Sequence, residues 1–272
     1  MNFAQLISPV LSISEKQVAA TITLLDEKAT IPFIARYRKE KTGSLDELQI
    51  GAILTEYTRL QDMADRKQTI LNTIEEQGKL TPELHQRIDA CWNATELEDI
   101  YLPYKPHRKT RADIAIAHGL EPLAKQLMAQ NNGNVSGWAK TYINKEVPTT
   151  DDALQGARDI IAQWISEDER ARNAVRREFG YTAVLTTKVV KAKSDLPEAQ
   201  NYKDYFAVSE PLKRISSHRL LAIRRAEKEG FIRMDISPDQ EKCLDKLANL
   251  FLHSRNDAAY QVELAMEDSY KR

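Results

Sequence analysis

The feature that most constrains the fold of this chain is a long helical pattern that begins at SLDE (44–47) and ends at Gly78. Ser44 and Glu47 have the spacing of a capping box, in which a hydroxyl and a carboxylate three residues later satisfy free amides at a helix start. The apolar residues that follow keep to one helical stripe: Leu48, Ile53, Tyr57, Leu60, Ala64, Ile70 and Ile74. A helix of this length predicts a fold dominated by helices.

The composition also favours helices. Only 9 of the 272 residues are glycine, and glycine is the usual residue of tight turns and irregular strands. Hydrophobic residues make up 42% and charged residues 29%, so the chain has enough apolar material for a core and enough charge for a soluble surface. Further helix starts are predicted at residue types that are preferred as N-caps: Ser14, Thr30, Thr81 and Thr150.

We therefore predict an all-α fold, a multi-helix bundle with at most a short strand near residues 231–236, where FIRMDI is rich in strand-forming residues. Segment 181–209 stays open between helix and strand. The first three helices, with a tight turn at Gly43, resemble a helix-turn-helix arrangement, although generic bundles produce the same pattern more often. This predicts a helix-turn-helix-like subdomain at residues 1–78 and a helical middle region at residues 79–272.

The cysteines and the hydropathy predict a cytoplasmic protein without membrane association. Cys91 and Cys243 are the only cysteines and lie far apart, so they form neither a disulfide framework nor a metal-ligand set. The N-terminal sequence lacks the pattern of a signal peptide, and no apolar run approaches the roughly 18 residues that a transmembrane helix needs. Because the formal net charge is −1, any polyanion partner must bind local basic patches.

The first basic cluster lies in IPFIARYRKEKTG (31–43) and consists of Arg36, Arg38, Lys39 and Lys41. At about 100° per residue, Phe33, Ile34 and Tyr37 share one face of a short helix, which predicts that all three belong to the core. The cations are then either the solvated back of a core helix or a surface that contacts phosphate groups.

The second basic cluster lies in YLPYKPHRKTR (101–111) and consists of Lys105, His107, Arg108, Lys109 and Arg111. Two prolines stiffen this segment, and no acidic residue interrupts it. A stiff basic loop with tyrosines suits phosphate contact and base stacking. Alternatively, the tyrosines fill the core and the charges are only solvated.

The third basic cluster lies in EPLKRISSHRLLAIRR (210–225) and consists of Lys213, Arg214, His218 and Arg219. Ser216 or Ser217 can cap the helix that follows, and free amides at a helix start together with converging cations form a candidate phosphate site. Basic side chains at this end oppose the helix dipole. Either a bound anion or an acidic side chain from elsewhere in the fold is therefore expected to compensate them.

Motifs of catalysis are missing from the sequence. The histidines form no HExxH and pair with no cysteine at metal-ligand spacing, and neither GxxxxGK[ST] nor GxGxxG occurs. The acidic group ELED (96–99) could supply paired carboxylates, although such groups on helices are more often solvated. We expect no enzymatic activity and no cofactor, and the weaker alternative is a metal-dependent helical hydrolase that uses Glu96, Glu98 or Asp99.

Four long stretches of the chain stand out as motifs: IPFIARYRKEKTGSLDE (31–47), ELEDIYLPYKPHRKTRADIAIAHGLEPLA (96–124), ARDIIAQWISEDERAR (157–172) and DYFAVSEPLKRISSHRLLAIRRAEKEG (204–230). In this order they resemble the N-terminal region of the bacterial Tex (YhgF) family of transcription accessory proteins. The resemblance covers essentially the whole chain. His107 and Ser216 depart from the family pattern, which more usually has a basic residue and a proline there.

The resemblance implies an N-terminal helical fragment of a larger factor that binds nucleic acid and acts in transcription. Family members continue into an RNase H-like domain, helix-hairpin-helix repeats and an OB-fold RNA-binding module. The chain itself is then a scaffold with auxiliary, sequence-independent phosphate contacts to RNA or DNA, and RNA polymerase or a transcription complex is a candidate partner. The alternative is a protein–protein docking scaffold for the transcription machinery or for other domains of the same protein.

Overall fold

A computed structural model describes residues 2–106 and 108–272 of the chain. The backbone divides into two compact units, Met1–Lys105 and Pro106–Arg272, called unit 1 and unit 2 here. Helices dominate both units, which confirms the predicted mostly helical fold. The subdomain boundary predicted at residue 78 falls inside unit 1 and stays a prediction.

Unit 1 is built from helices. Their bounds are α1 Phe3–Leu11, α2 Glu15–Asp26, α3 Ile31–Tyr37, α4 Lys39–Thr42, α5 Glu47–Glu76, α6 Pro82–Ala90 and α7 Ala94–Tyr101. The Ser14 side chain caps α2 as predicted, because its Oγ accepts a hydrogen bond from the Gln17 amide. Whether α1 to α3 act as a helix-turn-helix stays a prediction.

The long helix α5 connects two hydrophobic cores within unit 1. Its N-terminal half contributes Ile50, Ile53 and Leu60 to a core shared with α1, α2 and α3. Its C-terminal half contributes Ile70 and Ile74 to a second core, shared with α6 and α7. Unit 1 is therefore organised along the helix that the sequence predicted to be the longest of the chain.

The start of α5 differs from the prediction in two respects. The N-cap is Asp46 and not Ser44: Asp46 Oδ1 accepts from the Gln49 amide at 2.7 Å, and Gln49 Oε1 accepts from the Asp46 amide at 3.1 Å. Ser44 has a φ of +65° and continues the left-handed turn that begins at Gly43, the predicted helix stop. Leu48 is 84% exposed instead of buried, because Ile50 and Ile53 set the face of α5 that meets the core.

Unit 2 combines helices with a small sheet. The helices are α8 Arg111–Ala117, α9 Glu121–Met128, α10 Val135–Lys140, α11 Thr150–Glu167, α12 Glu169–Thr182, α13 Ser217–Lys228, α14 Gln240–Phe251 and α15 Asp257–Lys271. Helix α11 is central, since it packs against α8, α9 and α15 and buries Ile160 and Ile161 completely. Its N-cap is Thr149, one residue before the predicted cap, in a capping box with Asp152.

The strands are β1 Val184–Val189, β2 Ser209–Pro211 and β3 Ile232–Ser237. They form an antiparallel sheet in the order β2-β1-β3. Strand β3 confirms the strand predicted near residues 231–236, and β1 shows that part of the open segment 181–209 is extended. The β-branched residues of VLTTKV suit a pleated, half-buried strand. Helix α13 packs on this sheet around buried Leu185, Ile223 and Ile232.

In the described parts of the chain, no helix has the length and apolar character needed to cross a membrane.

Candidate nucleic-acid interface

The first basic cluster lies at the end of α3 and in α4. Helix α3 turns Ile34 and Ala35 towards the core, where they are 0% and 7% exposed. Phe33 is 39% exposed and Tyr37 is 64% exposed, so the prediction that these two rings belong to the core was wrong, whereas that for Ile34 is confirmed. A seven-residue helix fits either stripe, and packing against α5 selects the stripe that contains Ile31 and Ile34.

The two exposed rings form an ordered group with a neighbouring cation, which we call the Tyr37 patch (Phe33, Tyr37 and Arg38). The ring centroids of Phe33 and Tyr37 are 5.5 Å apart, with an angle of 42° between the planes. Arg38 Cζ lies 5.0 Å from the Phe33 centroid, and its Nη1 donates a hydrogen bond of 3.0 Å to the Tyr37 carbonyl. Aromatic rings and a cation thus share one surface of unit 1.

The remaining cations of the first basic cluster are close to this patch in sequence: Arg36 lies between Phe33 and Tyr37, and Lys39 and Lys41 follow Arg38. Lys39 and Lys41 are exposed. The Arg36 side chain is 69% exposed, and its Nη2 lies 3.7 Å from Oε1 of Glu47 at the start of α5. An exposed ion pair at this distance contributes little to stability, so Arg36 is readily available to another anion.

The tyrosines of the second basic cluster segment fill the core of unit 1. Tyr101 is 5% exposed, and Tyr104 packs against the same core. This is the alternative that the sequence left open, and it removes these two rings as stacking surfaces. Lys105 at the end of unit 1 is exposed, and Arg108 and Lys109 are exposed in unit 2. His107, a predicted contact residue, lies outside the described residues.

Arg111 is held in an ion network within unit 2. Its Nε lies 3.5 Å from Asp159 of α11, and its Nη2 lies 3.2 Å from Asp268 of α15. Arg272 pairs with the same two carboxylates, and the Asp159 side chain is only 8% exposed. Arg111 therefore joins α8 to α11 and α15, and an acidic partner within the fold already compensates its charge.

The third basic cluster lies between β2 and the first turn of α13. Arg219 Nη2 lies 3.0 Å from Oε1 of Glu210 in β2, so an acidic side chain compensates this cation at the helix start. Ser216 is the N-cap residue, but its side chain makes no cap hydrogen bond. Its Oγ instead lies 3.4 Å from His218 Nε2.

The exposed cations of the third cluster lie beside another exposed ring. Lys213 Nζ is 4.3 Å from the centroid of Tyr181, which is 69% exposed at the end of α12. Arg214 and His218 are exposed as well. Pairing of β1 with β2 opposes Val184 to Pro211 and so explains why Tyr181 and Lys213 meet, although they are distant in sequence.

Glu98, one of the acidic residues considered for catalysis, has a structural partner, and both thiols are buried. Glu98 accepts hydrogen bonds of 2.7 and 3.0 Å from Arg66, and this interaction lowers the pKa of the carboxyl group. Burial raises the pKa of the Cys91 and Cys243 thiols, which disfavours the nucleophilic thiolate. Among the described residues, no group of three or more histidine, cysteine, aspartate or glutamate side chains is placed to hold a metal ion.

The sequence prediction missed the two exposed aromatic–cation pairs, Phe33–Arg38 and Tyr181–Lys213. The first had a local signal, because Phe33, Tyr37 and Arg38 lie within six residues. The second had none, because the pairing of β1 with β2 brings its members together. The fold and these surfaces define the class of protein: a mostly helical chain that carries cations next to exposed aromatic rings.

Comparison with known proteins identifies the family. A family model described as the Tex-like protein N-terminal domain matches residues 1–75, and one described as Tex central region-like matches residues 131–268. The second match alone covers half of the chain. The chain belongs to the Tex family.

The relatives are longer proteins. The chain is 42% identical over 232 residues to the transcriptional accessory protein Tex of Neisseria gonorrhoeae, with 85% of this chain and 30% of that protein covered. It is 41% identical over 242 residues to protein YhgF of Escherichia coli, covering 88% and 31%. It is 28% identical over 234 residues to the human S1 RNA-binding domain-containing protein 1, covering 83% and 23%. The chain thus spans less than a third of each.

Proposed function

We propose that this chain is the N-terminal helical portion of a Tex-type transcription accessory factor, a scaffold that adds sequence-independent phosphate contacts to RNA or DNA. The family and the name of the gonococcal relative support a role in transcription. The human relative is named for an RNA-binding domain, which supports nucleic acid as the partner. In this proposal the protein is cytoplasmic, the chain has no catalytic activity of its own, and RNA polymerase or a transcription complex is a candidate protein partner.

The observation that supports phosphate contacts most directly is the exposure of cations in each basic cluster. Lys39, Lys109 and Arg214 are all exposed, so a phosphate can reach them without any change in the fold. Arg111 and Arg219 are ion-paired with acidic side chains, and we expect them to contribute less. Contacts of this kind position a backbone and read no sequence.

The test is a salt titration of binding to single-stranded and double-stranded RNA and DNA of unrelated sequences. We expect affinity to fall steeply between about 50 and 200 mM salt, because each neutralised phosphate releases counterions. Reversal of one contacting cation, as in Lys39→Glu, Lys109→Glu or Arg214→Glu, is expected to lower the slope of log K against log salt by about 1.

The matched control is Lys246→Glu, which makes the same charge change at an exposed lysine of α14 outside the basic clusters. We expect it to leave the salt dependence unchanged. Absence of salt-sensitive binding by the wild-type chain would contradict the proposal. Equal losses in the control and in the cluster variants would instead indicate a net-charge effect without defined contacts.

Ion pairing within the fold supports the second candidate, a protein–protein docking scaffold. Arg111 and Arg219 already bind acidic side chains, which shows the kind of partner that these cations accept. In that case reversing the charge of Arg108 and Lys109 leaves the affinity for nucleic acid unchanged and weakens binding to an acidic protein surface. The weaker hydrolase alternative requires metal-dependent cleavage of phosphoesters that is lost in Glu98→Ala.

A further inference from the structure

The aromatic rings of the Tyr37 patch lie outside the core and are not required for the packing of α3. Helix α3 meets the core through Ile34 and Ala35, so Phe33 and Tyr37 are not needed to fill it. We propose that this patch is a stacking site for a base of single-stranded nucleic acid, with Tyr37 as the ring that receives the base. The inference rests on the proposed function and specifies the form of nucleic acid that unit 1 binds.

Tyr37 is the member of the patch that can receive a planar ligand. It is 64% exposed, whereas the face of Phe33 is occupied by the Arg38 guanidinium at 5.0 Å. Phe33 braces Tyr37 from the side at a centroid distance of 5.5 Å. The hydrogen bond from Arg38 to the Tyr37 carbonyl fixes the guanidinium, so the platform is largely ordered before a ligand binds.

The charge around the ring favours a nucleotide. Residues 33–41 contain four cations, Arg36, Arg38, Lys39 and Lys41, and one acidic residue, Glu40. A base that stacks on Tyr37 brings its phosphates into this basic surrounding. Base–aromatic stacking with nearby cations is the usual mode of single-strand recognition, and it tolerates any sequence because every base has a π-face. In a duplex the base faces are covered by their neighbours, so the ring discriminates in favour of single strands.

The same observations make a protein partner the less favoured occupant. Lysine is depleted at protein–protein interfaces, although tyrosine, phenylalanine and arginine are enriched there, and Lys39 and Lys41 lie within four residues of Tyr37. Tyrosine also occurs at protein interfaces, so a protein partner is one outcome of the test.

The test measures binding of the 272-residue chain and its variants to single-stranded oligouridine and oligothymidine of about 20 nucleotides and to a duplex of the same length. Tyr37→Ala is expected to weaken single-strand binding by about 5- to 150-fold, and duplex binding by much less. Tyr37→Trp is expected to retain or strengthen single-strand binding, because it keeps a stacking ring. A 2-aminopurine base placed in the oligouridine or in the oligothymidine should lose fluorescence when the oligonucleotide binds to wild type or to Tyr37→Trp. It should keep its fluorescence with Tyr37→Ala.

The control is Tyr260→Ala, which removes another exposed tyrosine, 56% exposed in α15, and should leave binding unchanged. Since Tyr37 lies outside the core, unchanged circular dichroism and thermal unfolding are expected for every variant. If Tyr37→Ala binds single strands as well as wild type does, this inference is overturned while the proposed function stands, and the patch then faces a protein. Salt-insensitive or absent binding by wild type overturns both. If Tyr37→Ala weakens binding of the RNA and the DNA single strand equally, the stacking does not depend on the sugar. If it weakens binding of only one of them, the site is supported and that strand is the one that stacks on Tyr37.

Discussion

At the scale of single residues, the ion pair of Arg66 and Glu98 links α5 to α7. Two hydrogen bonds join the side chains, and Arg66 Cζ also lies 5.2 Å from the centroid of Tyr101. The hydrogen bonds from Arg66 hold the pKa of Glu98 below its ordinary value of 4.5. Because the pKa is lower in the folded state, the pair stabilises the fold fully above about pH 4.5, and this stabilisation is lost as the pH falls through the lowered value.

The variant Glu98→Gln tests this contribution. Both side chains are more than one-third exposed, so solvent screening limits the expected loss at neutral pH to about 1 kcal/mol or less. The difference between wild type and variant should shrink as the pH falls below about 4.5 and disappear once the carboxyl group is protonated in both the folded and the unfolded state. Urea unfolding of both proteins between about pH 3 and 7 measures this difference in the free energy of unfolding.

The control for this pair is Glu75→Gln, at an exposed glutamate of α5. It is expected to change the free energy of unfolding by no more than a few tenths of a kcal/mol, in the range typical of surface positions. If Glu98→Gln lowers the free energy of unfolding by the same amount at the lowest pH as at neutral pH, the carboxylate charge is not the cause of that loss.

At the scale of elements, the capping box of α5 determines where the longest helix begins. Asp46 and Gln49 satisfy each other's backbone amides. Asp46→Ala removes the acceptor and is expected to lower the free energy of unfolding of unit 1 by about 0.5–2 kcal/mol. Chemical denaturation followed by circular dichroism measures the loss.

Ser44→Ala is the matched comparison, because Ser44 occupies the position that the sequence pattern assigned to the cap. In the structure Ser44 lies in the turn before the helix. Its replacement is therefore expected to cost far less than that of Asp46. The reverse order of the two losses would mean that α5 begins at Ser44 in solution.

At the scale of the whole molecule, the buried residues form separate cores in the two units. Ile53 belongs to a core of unit 1 and Ile161 to the main core of unit 2, and both are 0% exposed. Ile53→Ala and Ile161→Ala are each expected to cost about 2–5 kcal/mol, through lost burial and the cavity that remains. Because the two residues share no core, each substitution should destabilise its own unit, and each loss should stay the same within about 0.5 kcal/mol in the double variant.

Hydrogen exchange followed by mass spectrometry distinguishes the units in this experiment. Ile53→Ala should speed exchange in α5 and its neighbours, and Ile161→Ala should do so in α11 and its neighbours. A chain that unfolds as one cooperative body would contradict the expectation, since either substitution would then speed exchange in both units equally.

Local features of this protein followed from the sequence because they depend on residues within a turn or two of each other. The Ser14 cap, the Gly43 stop and the extended segment at Ile232–Ser237 were all predicted. Side-chain hydrogen bonds to nearby amides, backbone preferences and apolar periodicity decide such features. The four motifs likewise sufficed to place the chain in its family.

Tertiary structure decided which face of each element is buried and which charges are already paired. Tyr37 and Ile34 fitted the same predicted stripe, and only packing against α5 left Tyr37 at the surface. From the sequence alone Arg111 counts as an unpaired cation, because the acidic residue that it pairs with, Asp268, lies 157 residues away. Burial and ion pairing are interactions between distant segments. The sequence by itself therefore determined the helices and the family, and the fold alone determined which rings and cations remain available to a ligand.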